Sequence, residues 1–204
     1  MNTQMKTILV TIIPTLITCL LISSCSISGN TRPSQFYVLD ATATSSSSEA
    51  KTLRLGVGPI LIPGYINRPQ ITTKSESAEL IYAEFERWAE PMDEMFTRTL
   101  THNITISTGS NSIISYPWPS NASLNKTLTA KIIKFENNMH GDALLIIQWQ
   151  ILNMNDKQQA SSIYSEYHST AKSSDYPDRV SALNDTVKQF SDEVIAYIQS
   201  ASNK

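Results

Sequence analysis

The chain has 204 residues, with 16 Lys and Arg against 18 Asp and Glu, a formal charge of −2 and two cysteines. With basic residues scattered singly, nothing provides the electrostatic footprint needed for nucleic acid or for anionic lipid headgroups. The length predicts one domain, and it is enough to bury most of the surface without disulfides.

The first element is an export signal. Lys6 precedes an apolar run from Ile8 to Ile22, broken by Thr and Pro14. It is shorter than the ~20 residues of a membrane span and reads as the apolar core of a signal peptide. Ile22-Ser23-Ser24-Cys25 closes it, an arrangement that resembles the bacterial lipobox. That resemblance implies cleavage before Cys25 and acylation of its sulfur, with residues 1–24 removed. An acyl chain contributes ~0.8 kcal/mol per buried CH₂, so one binds marginally and two or more anchor stably. Ser26 stands where Asp favours inner-membrane retention, which implies sorting to the outer membrane. Cleavage takes Lys6 and Cys19 with it, leaving 15 basic against 18 acidic residues.

Residues 25–35 predict a tether, small, polar and broken by Pro33, spanning ~17–19 Å as a coil and at most ~35 Å stretched. Residues 36–204 predict one domain. Phe36-Tyr37-Val38-Leu39 reads as a short strand, and Thr42 to Glu49, with four serines in a row, as a loop. Leu53 to Ile62 alternates until Pro59 and Pro63 modify its end, the pattern of a strand. Gly56-Val57-Gly58 lacks the third glycine and the helix of a dinucleotide fingerprint. Ile71–Lys74 and Leu80–Ala83, separated by five polar residues, predict a β-hairpin.

Pro91 suits the first position of a helix, and Asp93 and Glu94 suit its dipole. Met92, Met95, Phe96, Thr99, Leu100 and Asn103 fall on one face, so the methionines read as core filling and not as a soft-metal site. Tyr116-Pro117-Trp118-Pro119 follows the next strand. Thr127–Phe135, Ala143–Leu152 and Ser161–Ala171 predict three more strands, joined by turn-rich segments into an antiparallel meander. In the second of these, Leu145, Ile147, Trp149 and Ile151 share a face opposite Gln148 and Gln150. From Pro177 on, Val180, Leu183, Val187, Phe190, Val194 and Tyr197 recur at helical spacing, for packing on the sheet or for an oligomer interface. The fold class expected is α+β, a mainly antiparallel sheet with two helices packed on one face.

Chemistry is sparse in this chain, and no catalytic residue, metal site or cofactor is expected. His102, His140 and His168 stand apart, with no paired-histidine or Cys/His ligand spacing. No Gly-x-Ser-x-Gly elbow appears, and Glu84, Glu86 and Glu90 read as solvated or salt-bridged carboxylates. Four Asn-x-Ser/Thr sequons, at Asn103, Asn121, Asn125 and Asn184, read as chance matches.

Aromatic, proline and arginine residues outside the core pattern remain. They stand in Pro63-Gly64-Tyr65-Ile66-Asn67-Arg68-Pro69-Gln70-Ile71, in Arg87-Trp88-Ala89-Glu90-Pro91 and in Tyr116-Pro117-Trp118. Arg68 and Arg87 suit stacking on aromatic rings and pairing with carboxylates such as Glu90. With Phe36-Tyr37-Val38-Leu39 and Val57-Gly58-Pro59, these blocks resemble, in order and spacing, the PqiC family. Its members are lipoprotein auxiliary subunits of ABC-type or mammalian-cell-entry (MCE) lipid transport systems. Asn67 departs from the Asp or Glu frequent there. The resemblance implies a non-enzymatic subunit that docks the MCE assembly at the outer membrane. Its partners would be a PqiB-like MCE-domain protein and a PqiA-like permease, and it would form a ring-like homo-oligomer, with no nucleic acid bound. Tyr65, Arg68, Gln70 and Trp118 are the candidate partner or oligomer contacts, and Arg87, Trp88, Glu90 and Pro91 a structural block. The competing readings are a structural envelope lipoprotein and a membrane-anchored periplasmic hydrolase, which the missing nucleophile and base argue against.

Overall fold

Alternation at period two and at helical spacing both become elements where the pattern places them. The computed structural model describes residues 31–44, 52–154 and 161–202. The signal segment, Cys25, Ser45 to Ser48 and the turn residues 155–157 lie outside the described residues. Ser34–Lys204 is one compact unit. In chain order its elements are β1 (Gln35–Tyr37), β2 (Leu55–Leu61), β3 (Gln70–Lys74), β4 (Leu80–Trp88) and α1 (Met92–Thr108). β5 (Ile113–Ser115), β6 (Lys126–Asn137), β7 (Ala143–Asn153), β8 (Ile163–Ser169) and α2 (Tyr176–Ser202) follow.

The sheet corrects the antiparallel expectation. Its eight strands run β1-β4-β3-β6-β2-β5, with β7 on β6 and β8 on β7. The expected hairpin β3–β4 and the meander β6–β7–β8 are antiparallel. Four pairings are parallel, β1 with β4, β2 with β5, β2 with β6 and β3 with β6, so the sheet is mixed. Turn-rich connections reveal only hairpins. Strands separated by α1 or by a long excursion return in the same direction, which a short turn cannot do. β6 carries β7 along one edge and, along the other, β2 at Lys126–Lys131 and β3 at Asn137, which forks the sheet.

Both helices belong with the sheet to one hydrophobic cluster and pack on each other. α1 lies against β2 and β5, and α2 against β6, β7 and β8. Met92, Met95, Phe96, Thr99, Leu100 and Asn103 of α1 are all buried, as are Leu145, Ile147, Trp149 and Ile151 of β7. Val180, Leu183, Val187, Phe190 and Val194 of α2 join them, with Tyr197 partly buried. Pro91 stands one place earlier than expected, at the N-cap, with Met95 N–H donating to its carbonyl at 3.0 Å. α1 stops at Gly109, whose φ of 63° is the left-handed conformation glycine adopts at least cost. Among the described residues no helix is long and apolar enough to cross a membrane.

Candidate interaction site

The pairing of β3 with β4 joins two of the three motif blocks. Gln70 lies opposite Arg87, and Trp88 N–H donates to the Pro69 carbonyl at 2.7 Å. Ahead of β3 the chain turns on Pro63, whose carbonyl accepts from the N–H of Ile66 and of Asn67. That turn buries Ile66 and leaves Tyr65 half-buried and Arg68 exposed. The Tyr65 hydroxyl donates to Glu136 Oε2 at 3.2 Å, and Glu136, 5% exposed, is also 3.6 Å from Lys74 Nζ. Burial, with Glu136 alongside, pushes the Tyr65 pKa up from its ordinary value.

Arg68 lies over the Tyr82 ring, 4.2 Å from its centroid, the stacking its position suggested. Neither Arg68 nor Arg87 forms the pair with Glu90. That carboxylate takes Arg98 of α1, at 3.0 Å. Arg98 lies about two turns into the helix that starts after Pro91, whereas Arg87 stands on β4 opposite Gln70. Trp88 is 6% exposed and belongs to the core cluster.

The third block lies on the other side of β6, on β2 and β5. Tyr116 N–H donates to the Val57 carbonyl at 2.8 Å, and the Tyr116 and Trp118 rings meet edge to face at 5.3 Å. Trp118 is half-buried against Gly56, where a Cβ would come within 2.9 Å of its ring. At Gly58, φ is +116° and a Cβ would stand 2.7 Å from Tyr116 Cβ. The Gly-Val-Gly spacing is therefore a bed for two aromatic residues, with Val57 turned into the core. Tyr65, Arg68, Gln70, Arg87 and Trp88 form one assembly, and Trp118 with Tyr116 a second.

Several structurally central residues carried no motif. Asn103 Oδ1, at the core of α1, accepts from Thr42 N–H at 2.9 Å and Ala43 N–H at 3.0 Å. Asn184 Oδ1 accepts from Asp40 N–H, Met95 Sδ from Leu39 N–H, and Thr99 Oγ1 donates to the Leu39 carbonyl. Both helices thus hold residues 39–43 by the backbone, and the sequons at Asn103 and Asn184 sit on buried asparagines. Their place on helical core faces was the available signal. Arg179, 8% exposed, donates to the carbonyls of Ser174, Asn138 and Met139, tying the β6–β7 turn to the start of α2. Glu193 accepts from Ser165 Oγ and Tyr167 OH, and Ser165 Oγ in turn accepts from Trp149 Nε1 at 3.0 Å.

Chemically the two assemblies offer stacking surfaces and one buried carboxylate. Among the described residues no group of three or more His, Cys, Asp or Glu could hold a metal ion. His102 is exposed on α1, whereas His140 and His168, far apart in sequence, line one hollow.

A solved structure of an uncharacterized protein resembles this one with a TM-score of 0.68 at 16% identity, covering 82% of this chain and 99% of the other. Protein XCC0632 from Xanthomonas campestris, of the DUF330 family, resembles it with a TM-score of 0.67 at 16% identity, over 83% and 100% of the two chains. At that identity the likeness shows the fold. No curated protein matches the sequence. The model of the ABC-type transport auxiliary lipoprotein component family matches residues 37–195, nearly the whole folded domain, and the chain belongs to that family.

Proposed function

We propose that the protein is an outer-membrane-anchored periplasmic lipoprotein, the auxiliary subunit of a Pqi-type intermembrane lipid transport system. In this reading acylated Cys25 holds the domain within its tether's reach of the membrane. The domain docks the assembly of a PqiB-like MCE-domain protein, served by a PqiA-like permease, and works as a ring of identical subunits. The observation that carries the reading is the family match across residues 37–195, which makes the chain a transport auxiliary component, not a member of an enzyme class. The motif residues support it: Arg68 is exposed over the Tyr82 ring, and Tyr65 and Trp118 are half-buried and outside the set of fully buried core residues.

Cys25→Ser in a strain lacking the native gene tests it. The variant is expected to stay unacylated by mass, to leave the outer-membrane fraction and to fail to restore the barrier against detergents. A Cys25→Ser protein that fractionates with the outer membrane and restores the barrier would contradict the reading.

A further inference from the structure

The pleat of β4 sends Arg87 and Trp88 to opposite faces of the sheet. Trp88 belongs to the core cluster, and Tyr37, its partner on β1, meets the Tyr176 ring of α2 at 6.1 Å, so this pair faces the helices. Arg87 and its partners, Phe36 on β1 and Gln70 on β3, therefore form a row on the face turned away from them. Two residues along β3 from Gln70, Thr72 lies opposite Tyr82, which carries Arg68 over its ring on the same face. Phe36 is 65% exposed, and Arg68 and Tyr82 are exposed beside it.

The two guanidiniums lack acceptors. Arg87 is half-buried, its Nε is buried with no partner, and among the described residues its side chain forms neither a hydrogen bond nor an ion pair. Arg68 has the Tyr82 ring but no carboxylate, and the nearest carboxylate of the motif, Glu90, is held by Arg98. A charge partly withdrawn from water without an acceptor costs stability, and an acceptor brought by another molecule recovers the loss. Arginines placed in this way beside aromatic rings are the residues that dominate interfaces.

A carboxylate fits the guanidinium fork at two points, and the Phe36 ring takes an apolar side chain next to it. An anionic bilayer fits less well, because a chain with 16 basic and 18 acidic residues is repelled by it as a whole. We propose that the row of Phe36, Arg87 and Gln70, together with Arg68, docks an acidic segment of the transport partner, its carboxylates on the guanidiniums and an apolar side chain on Phe36. The inference rests on the transport reading and adds to it the chemistry of the partner's segment and a contact role for Arg87, which the motif's spacing assigned to structure.

The test places a photoreactive benzophenone side chain at position 36 of the full-length acylated protein. Envelopes containing the MCE-domain protein are irradiated, and the adduct is mapped by mass spectrometry. An adduct on an Asp- or Glu-bearing segment of the MCE-domain protein is expected, with a yield that falls about tenfold in Arg87→Gln and falls also as salt is raised. Should Arg87→Gln melt below the wild type, Arg68→Gln, at an exposed position, serves in its place. An adduct on a second copy of the chain, on lipid or on a segment without acidic residues would overturn the inference. So would the absence of an adduct although the MCE-domain protein co-purifies, or a yield indifferent to the arginine variants. Each of these leaves the transport reading standing, whereas failure of the MCE-domain protein to co-purify at all removes that reading and this inference with it.

Discussion

Trp88 shows how a motif residue divides between structure and contact. Its backbone is bonded to Pro69, and its ring, 6% exposed, fills the core beneath the β4–α1 junction. Trp88→Ala is expected to cost ~3–5 kcal/mol, as large aromatic truncations do, and to lower the melting temperature by many degrees. A thermal melt superposable on the wild type would contradict the core assignment. The same block shows what spacing leaves unread: the sequence offers Glu90 as a carboxylate for Arg68 or Arg87, whereas its partner is Arg98 on the helix, and only the direction in which α1 leaves the sheet selects it. Gly56 and Gly58 were legible as strand glycines, and their cause, the rings of Trp118 and Tyr116, lies more than fifty residues away. The tyrosine hydroxyls give a pH signature. Burial first, and the neighbouring Glu136 or Glu193 next, raise the pKa of Tyr65 and of Tyr167 above the ordinary 10.0. The unfolded chain then releases these protons before the folded one does. Stability is whole below pH 10.0 and falls as pH rises beyond it. Tyr167→Phe is expected to flatten the fall of melting temperature above pH 10.0. An unchanged slope would mean that Glu193 leaves the phenol free to ionise.

At the level of elements, local periodicity was enough for both helices and for the strands whose faces alternate, because each buries one face against the other layer. Direction was another matter. β1 joins β4, and β2 joins β5 and β6, through contacts far apart in sequence, and nothing within a strand records which distant neighbour it meets or which way it runs. The three-residue β5 is too short to show a period and was implied only by the aromatic segment after it. The tie between residues 39–43 and the two helices was equally hidden, since a single asparagine on an apolar face reads as one polar exception. Asn103→Ala strips the Thr42 and Ala43 amides of their acceptor, leaving two donors to find water. A loss of ~2–4 kcal/mol is expected, at ~1–2 kcal/mol for each orphaned group. Amide exchange at Thr42 and Ala43 should accelerate far more than at Leu145 in the centre of β7. Protection at Thr42 and Ala43 equal to the wild type would show that another group holds the segment.

For the whole molecule, the eight strands and two helices of the described residues lie in one compact unit, Ser34–Lys204, and the family match covers most of it. The motif blocks were legible because their residue types are conspicuous. Their separation into two assemblies on either side of β6 was not, because it follows from the order of strands in the sheet. Service as a transport subunit requires partners, and the account therefore turns on association. Its most direct measurement is affinity purification of the full-length acylated protein from mildly solubilised envelopes, with partners quantified by mass spectrometry beside a matched unrelated lipoprotein. The account predicts stoichiometric enrichment of an MCE-domain protein with its integral permease, reduced when the exposed Arg68 is changed to Ala while the domain melts as before. Recovery of the folded, acylated protein with no enrichment of either over the control would contradict it.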